Sequence, residues 1–189
     1  ITTMRVIHVS CWDTRGGAAI AASRIHAGLL DQGVDSHYLC SRTRDCLPNT
    51  HVISKGLAYH KDVLLEHLSR KRGARQVDPT AFGCSINAFP NALISRLREL
   101  KPDVVHLHWV GSGTVPIAAL KRIPCPVFWT LHDMWPFCGG ENYEVTDQRR
   151  WATAYTAANR PSGASGPDIN RQVWEAKMRH WKGLTVPFI

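Results

Sequence analysis

The strongest strand signal in this chain is Asp103-Val104-Val105-His106-Leu107-His108-Trp109. A dense Val and Leu run of this kind reads as a strand buried on both faces, and such strands belong to parallel sheets covered by helices. The same alternation continues elsewhere. Arg5–Ser10 reads as a short apolar strand, Cys11–Gly17 as a turn, and Ala18–Leu30 as a helix stopped by Gly33. Ser36–Ser41 and His51–Ile53 read as strands, Asn91–Leu100 as a helix with Pro102 just beyond it, and Val115–Arg122 as a short helix. Pro126–Leu131 is another buried strand, Ile169–Trp181 a helix, and Leu184–Ile189 resembles a strand cut short by the end of the chain. The pattern predicts an α/β fold: a doubly wound, mostly parallel sheet with helices on both faces.

At 189 residues the chain is expected to form one domain over 1–189, with two segments less regular than the rest. Gly73–Pro90 reads as loop, and the stretch around 140–168, containing Pro161-Ser162-Gly163-Ala164-Ser165-Gly166-Pro167, reads as a flexible insertion. Apolar residues at 44% and charged residues at 20% describe a globular chain, excluding fibrous and disordered classes. The longest apolar run, Gly17–Ala22, is far short of the roughly 20 residues that span a bilayer. No basic-then-apolar leader opens the chain, so secretion is not expected. A formal net charge of +8 favours phosphate-bearing partners without choosing among them. The six cysteines show no C-x-x-C pair, which reads as reduced thiols in a cytoplasmic protein.

In an open parallel sheet, ligands bind outside the carboxyl ends of the strands. Three such points carry chemistry. After the first strand come Asp13-Thr14-Arg15-Gly16-Gly17, where paired glycines and a helix N-terminus suit a phosphate, or where a tight turn simply needs glycine. The dinucleotide pattern G-x-G-x-x-G is absent. His106 and His108 share one strand face, as metal ligands or as hydrogen-bonding residues lining a cleft. Third, Thr130-Leu131-His132-Asp133-Met134-Trp135-Pro136-Phe137-Cys138-Gly139-Gly140 places a histidine and a carboxylate at the end of a buried strand. His132 could hydrogen-bond a hydroxylated substrate, and Trp135 could stack on a sugar or pack in the core. No G-x-S-x-G elbow supports a serine hydrolase.

This third motif, preceded by Asp103–Trp109, closely resembles bacterial family 4 glycosyltransferases of the GT-B fold that act in exopolysaccharide and lipopolysaccharide assembly. The glycine turn from Asp13 to Ala19, the stretch Asp168-Ile169-Asn170-Arg171, and the helix through Lys177 and Trp181 are similar to the same family. The resemblance implies a Rossmann-like amino-terminal domain, the acceptor-side half of a two-domain enzyme. It implies transfer of a sugar from a nucleotide-sugar donor to a saccharide or lipid-linked acceptor, with retention of configuration. Gly16 and Gly17 then face the donor, His132 lies at the reaction centre, and His108, Trp109, Asp133 and Trp135 line the acceptor site. No metal or other cofactor is implied, the nucleotide sugar being a substrate. Many relatives carry a His-Tyr pair and a cysteine cluster after the double glycine, whereas here the residues are Glu141-Asn142-Tyr143. The chain is expected to stop near the end of the amino-terminal domain, leaving the nucleotide-holding carboxyl-terminal domain outside it and this part alone inactive.

The stripe Leu57, Leu64, Leu65 and Leu68, followed by Arg70-Lys71-Arg72 and Arg75, is either a sheet-covering helix or a basic amphipathic helix over 57–75 that docks on anionic membrane. The second option implies a peripheral protein at the inner face of the cell membrane. Two other classes compete with the transferase. One is a metal-dependent hydrolase using His106, His108 and His132, and the other is a non-catalytic binding module. No DNA or RNA recognition motif is present, so nucleic acid is not an expected partner.

Overall fold

The computed structural model describes residues 4–145 and 149–188. The first half runs β1 (Arg5–Trp12), α1 (Gly17–Asp31), β2 (Asp35–Arg42), β3 (Thr50–Val52), α2 (Gly56–Gly73) and β4 (Ala81–Cys84). The second runs α3 (Leu93–Leu100), β5 (Val104–Leu107), a 3₁₀ helix (Ile117–Arg122), β6 (Val127–Trp129), β7 (Glu141–Glu144), α4 (Arg150–Thr153) and α5 (Ile169–Trp181). Five strands form one parallel sheet in the order β3-β2-β1-β5-β6. This is the Rossmann-like α/β arrangement that the alternation predicts. The terminal strand expected over Leu184–Ile189 reduces to one parallel bridge, Phe188 to Trp129, with Ile189 outside the described residues.

The two sheet faces differ in chemistry. Ile7, Val9, Leu39, Val105 and Leu107 point into the main core, meeting Leu93 and Leu97 of α3, the 3₁₀ helix, and Ile169 and Val173 of α5. Burying a Leu or Ile side chain this completely contributes about 1.5–3 kcal/mol, so this layer holds the domain together. The opposite face carries the alternate residues. His8 pairs in register with Tyr38 on one side and His106 on the other, under α1. Alanines at 19 and 22 let α1 approach this polar row closely, and His26 of α1 bonds Ser36 beneath it at 2.7 Å.

Two irregular segments prove to be anchored. Gly73–Pro90 contains β4, which pairs antiparallel with β7. The expected flexible insertion is held at several points: Val77 and Ser165 exchange both backbone hydrogen bonds at 3.0 Å, and buried Arg150 pairs with Asp168 at 2.8 Å while lying over Tyr155. Composition suggested mobility because Gly, Ser and Pro dominate, yet Gly166 adopts φ +73 where a Cβ would stand 2.0 Å from the Arg75 carbonyl oxygen. A tight approach, not slack, requires that glycine. Residues 146–148 of the insertion lie outside the described ones.

Candidate functional site

The sheet order reverses between β1 and β5: the chain winds outward from β1 through β2 to β3 on one side, and from β5 to β6 on the other. A crevice opens at such a switch point, beyond the strand ends. Here a cleft of about 500 Å³ is lined by Ser10 and Trp12 from β1, Arg15 to Ala19 from the turn and first residues of α1, and Trp109, His132 and Tyr143.

The glycine turn is built for approach. Gly16 has φ +91, and no atom lies within 4 Å of a Cβ placed on Gly16 or Gly17, so both face open space. The first amides of α1 have no side-chain cap, leaving donors and the positive end of the helix dipole at the cleft. The turn is fixed from behind by Asp13, whose fully buried carboxylate accepts backbone N–H groups of Thr14 (2.8 Å), Arg44 (2.9 Å) and Cys46 (3.0 Å). Arg15 stacks over Trp12, 5.0 Å from the ring centre, keeping a cation at the rim.

Opposite the turn, His132 ends a chain of three imidazoles. His132 Nε2 lies 3.3 Å from His108 Nδ1, and His108 Nε2 lies 3.1 Å from His8 Nδ1. Burial, reinforced by neighbouring histidines, depresses the pKa of His8 to about 3 and of His108 to about 2, so both are neutral at physiological pH. Burial also lowers the pKa values of His106 and His132, although the Asp133 carboxylate partly offsets the effect at His132. His106 turns aside to Thr130 Oγ1 at 2.7 Å.

The sequence-predicted site residues therefore separate into two groups. Gly16, Gly17, Trp109 and His132 line the cleft together. His108 is 1% exposed with both ring nitrogens engaged, so it reaches a ligand only through His132. Asp133 is committed to the scaffold, accepting from Trp109 Nε1 (2.7 Å), Asn142 Nδ2 (2.6 Å) and the Trp135 amide (3.1 Å). Trp135 is 2% exposed; its indole donates to the Ser85 carbonyl and packs beside Trp129 and Trp181 in the core. The aromatic residues after His132 leave stacking and packing open from sequence alone, and burial of Trp135 makes it packing.

Three contributors were not singled out by sequence. His8 is a metal-capable neighbour: His8, His106 and His108, rather than the trio of His106, His108 and His132, bring ligand nitrogens within 4.8 Å of one another. Tyr143 donates to the His132 carbonyl at 2.9 Å and walls the cleft. Trp12 supplies the floor for Arg15. Only the parallel register of β1 with β5, and the pairing of β7 with β4, bring these residues in.

The sequence model of glycosyltransferase family 4 matches residues 15–164, well over half of the chain. That span takes in Gly16 and Gly17, β5, His132 and β7. A comparison with curated proteins gives no match.

Proposed function

This chain belongs to glycosyltransferase family 4, and from that premise we propose that it forms the acceptor-side half of a retaining enzyme that moves a sugar from a nucleotide-sugar donor to a saccharide or lipid-linked acceptor. The observation that carries the proposal is the convergence of Arg15, Gly16, Gly17, Trp109 and His132 on one cleft at the switch point. In the reaction the bond from the anomeric carbon to the donor phosphate oxygen breaks and the nucleoside diphosphate leaves with that electron pair. The acceptor hydroxyl bonds to the same carbon, and the hydroxyl proton passes to the oxygen of the leaving diphosphate. The charge developing on the leaving diphosphate faces the N-terminus of α1 and Arg15, and the glycines let the donor approach the backbone. His132 contacts the transferred sugar, and Trp109 gives the acceptor an aromatic wall, oriented by Asp133. The reading assigns no metal or other cofactor.

The same reading takes α2 as a membrane contact from the cytoplasmic side. Leu57 is 89% exposed and Leu64 57%, and Ser69 is the buried residue of this 18-residue helix. A helix that covered the sheet would bury those leucines. With Lys61, Arg70, Lys71 and Arg72 on the same helix, an anionic lipid surface is the complementary partner. Among the described residues no helix is long and apolar enough to cross a membrane.

The test is turnover of a panel of nucleotide sugars by the intact two-domain enzyme, scored as nucleotide release and sugar transfer, with His132 and with His132→Ala. We expect a loss of 100-fold or more (about 2.7 kcal/mol of transition-state stabilisation). Undiminished turnover in the variant removes His132 from the reaction.

A further inference from the structure

Each N···N contact in the chain His8–His108–His132 needs one hydrogen between its two nitrogens. Both inner rings are neutral, and each neutral imidazole carries a single N–H. Only two arrangements then satisfy both contacts. In one, every ring is protonated at Nδ1: His8 donates to His108, His108 donates to His132 Nε2, and His132 is left with Nδ1–H for the cleft. In the other, every ring is protonated at Nε2, the direction of donation is reversed, and His132 presents a bare Nδ1.

The buried end decides between them. His8 is fully buried, and its Nε2 has no hydrogen-bond partner among the described residues. The reversed arrangement would place an N–H on that atom, and buried N–H groups without acceptors are the rarest kind of unmet polar group. The first arrangement leaves only an unprotonated nitrogen there. The outer end agrees: the Asp133 carboxylate beside His132 favours the positive, N–H-bearing end of the chain on that side.

We propose that His8 and His108 are positioning residues that lock His132 in its Nδ1–H tautomer, so that His132 acts in the cleft as a hydrogen-bond donor to an oxygen and not as a general base. To accept a proton at Nδ1 while neutral, His132 would have to drive a concerted flip of three rings and bury an unpaired N–H at His8. That the oxygen belongs to a donor sugar or its phosphate rests on the glycosyltransferase reading; the tautomer itself does not.

The experiment is long-range ¹H–¹⁵N correlation spectroscopy of ¹⁵N-histidine-labelled protein near pH 7.5, which distinguishes Nδ1–H, Nε2–H and imidazolium directly. All three rings are expected as neutral Nδ1–H. His8→Asn keeps a donor near the same place and is expected to retain the His132 signature, whereas His8→Phe removes it and releases His132 to a tautomer mixture. Nε2–H on His132 in the unmodified protein overturns the proposal, as does an unchanged His132 signature in a folded His8→Phe variant. Stoichiometric metal in the isolated protein, found by elemental analysis, also overturns it, because the nitrogens would then be ligands. A locked tautomer whose His132 resonances ignore every nucleotide sugar in the intact two-domain enzyme would count against the assigned substrate and leave the lock standing.

Discussion

The ammonium of Lys177 lies 3.7 Å from the centre of the Trp135 ring and donates to the backbone carbonyls of Trp135, of Cys138 at 3.0 Å and of Gly139 at 2.7 Å. This one side chain caps the loop that follows His132 and ties it to α5. Lys177 is 1% exposed, and burial pulls its pKa down to about 7, opposed by nearby Glu141. Three carbonyls and an aromatic face replace the water it has lost.

Lys177→Met should therefore destabilise the protein although it preserves length and apolar volume. Three buried carbonyls lose their donor, and a loss of about 3–5 kcal/mol is expected from urea unfolding midpoints. A cost below about 1 kcal/mol would mean that the carbonyls find other partners and that the lysine is not the clasp.

Two glycine substitutions should separate folding from binding. A Cβ on Gly139 would stand 2.3 Å from the backbone oxygen of Asn170, so Gly139→Ala forces two backbones apart and should cost about 3 kcal/mol or more. Gly17→Ala meets nothing within 4 Å. Its melting temperature should hold or rise slightly, while affinity for nucleoside diphosphate falls because the methyl group stands in the cleft. Equal diphosphate affinity with and without Gly17→Ala in the intact two-domain enzyme, read by calorimetry, would argue against the glycine turn as the donor contact.

Asp133→Asn tests whether this carboxylate serves the scaffold. Its oxygens accept three hydrogen bonds, and an amide would set an N–H₂ against at least one donor. Stability should drop by about 1–3 kcal/mol and Trp109 fluorescence should change as its indole loses its partner. A variant with unchanged stability and a raised acceptor KM would instead place Asp133 on the substrate.

Acid should destabilise the fold earlier than carboxylate titration alone would. His8 and His108 have folded pKa values of about 3 and about 2, against 6.5 for the free side chain. As pH falls through 6.5 the unfolded chain takes up protons that the folded chain refuses, so stability declines from there down to about pH 3. The slope approaches about 1.4 kcal/mol per pH unit for each histidine. Denaturant midpoints measured from pH 7.5 to 4.5 should show it, and His8→Asn should reduce the slope. A flat profile over that interval would contradict the burial of neutral imidazoles.

Binding of the protein to vesicles should need anionic lipid, with roughly 1 kcal/mol gained per cation near the surface. Leu57→Gln with Leu64→Gln should abolish sedimentation with such vesicles while leaving the melting temperature unchanged, since both side chains are exposed. Equal sedimentation with neutral vesicles would remove the electrostatic part of the argument.

Much of the scaffold can be read from local pattern. The Val-rich strand from 104 to 107, the helix stopped at Gly33, and the common facing of His106 and His108 follow from periodicities of 2 and 3.6 residues, which are properties of neighbouring positions. The ring centroids of His106 and His108 stand 4.1 Å apart, as alternate positions on a strand allow. The placement of Gly16, Gly17 and His132 at strand ends follows from the same periodicities together with the rule that open sheets bind ligands there.

What escaped the local pattern depends on which strand lies beside which. His8 joins His108 only because β1 sits next to β5, a pairing across 100 residues that no periodicity records. Trp135 and Asp133 sit within three residues of His132 yet belong to the core and the scaffold, because the turn after β6 folds them back onto Ser85, Asn142 and Lys177. Residue type and spacing thus dictate the strands, the helices and the candidate ends of the sheet. Burial, register and the direction of each hydrogen bond are long-range quantities, and they alone decide that one histidine faces the cleft while two stand neutral behind it.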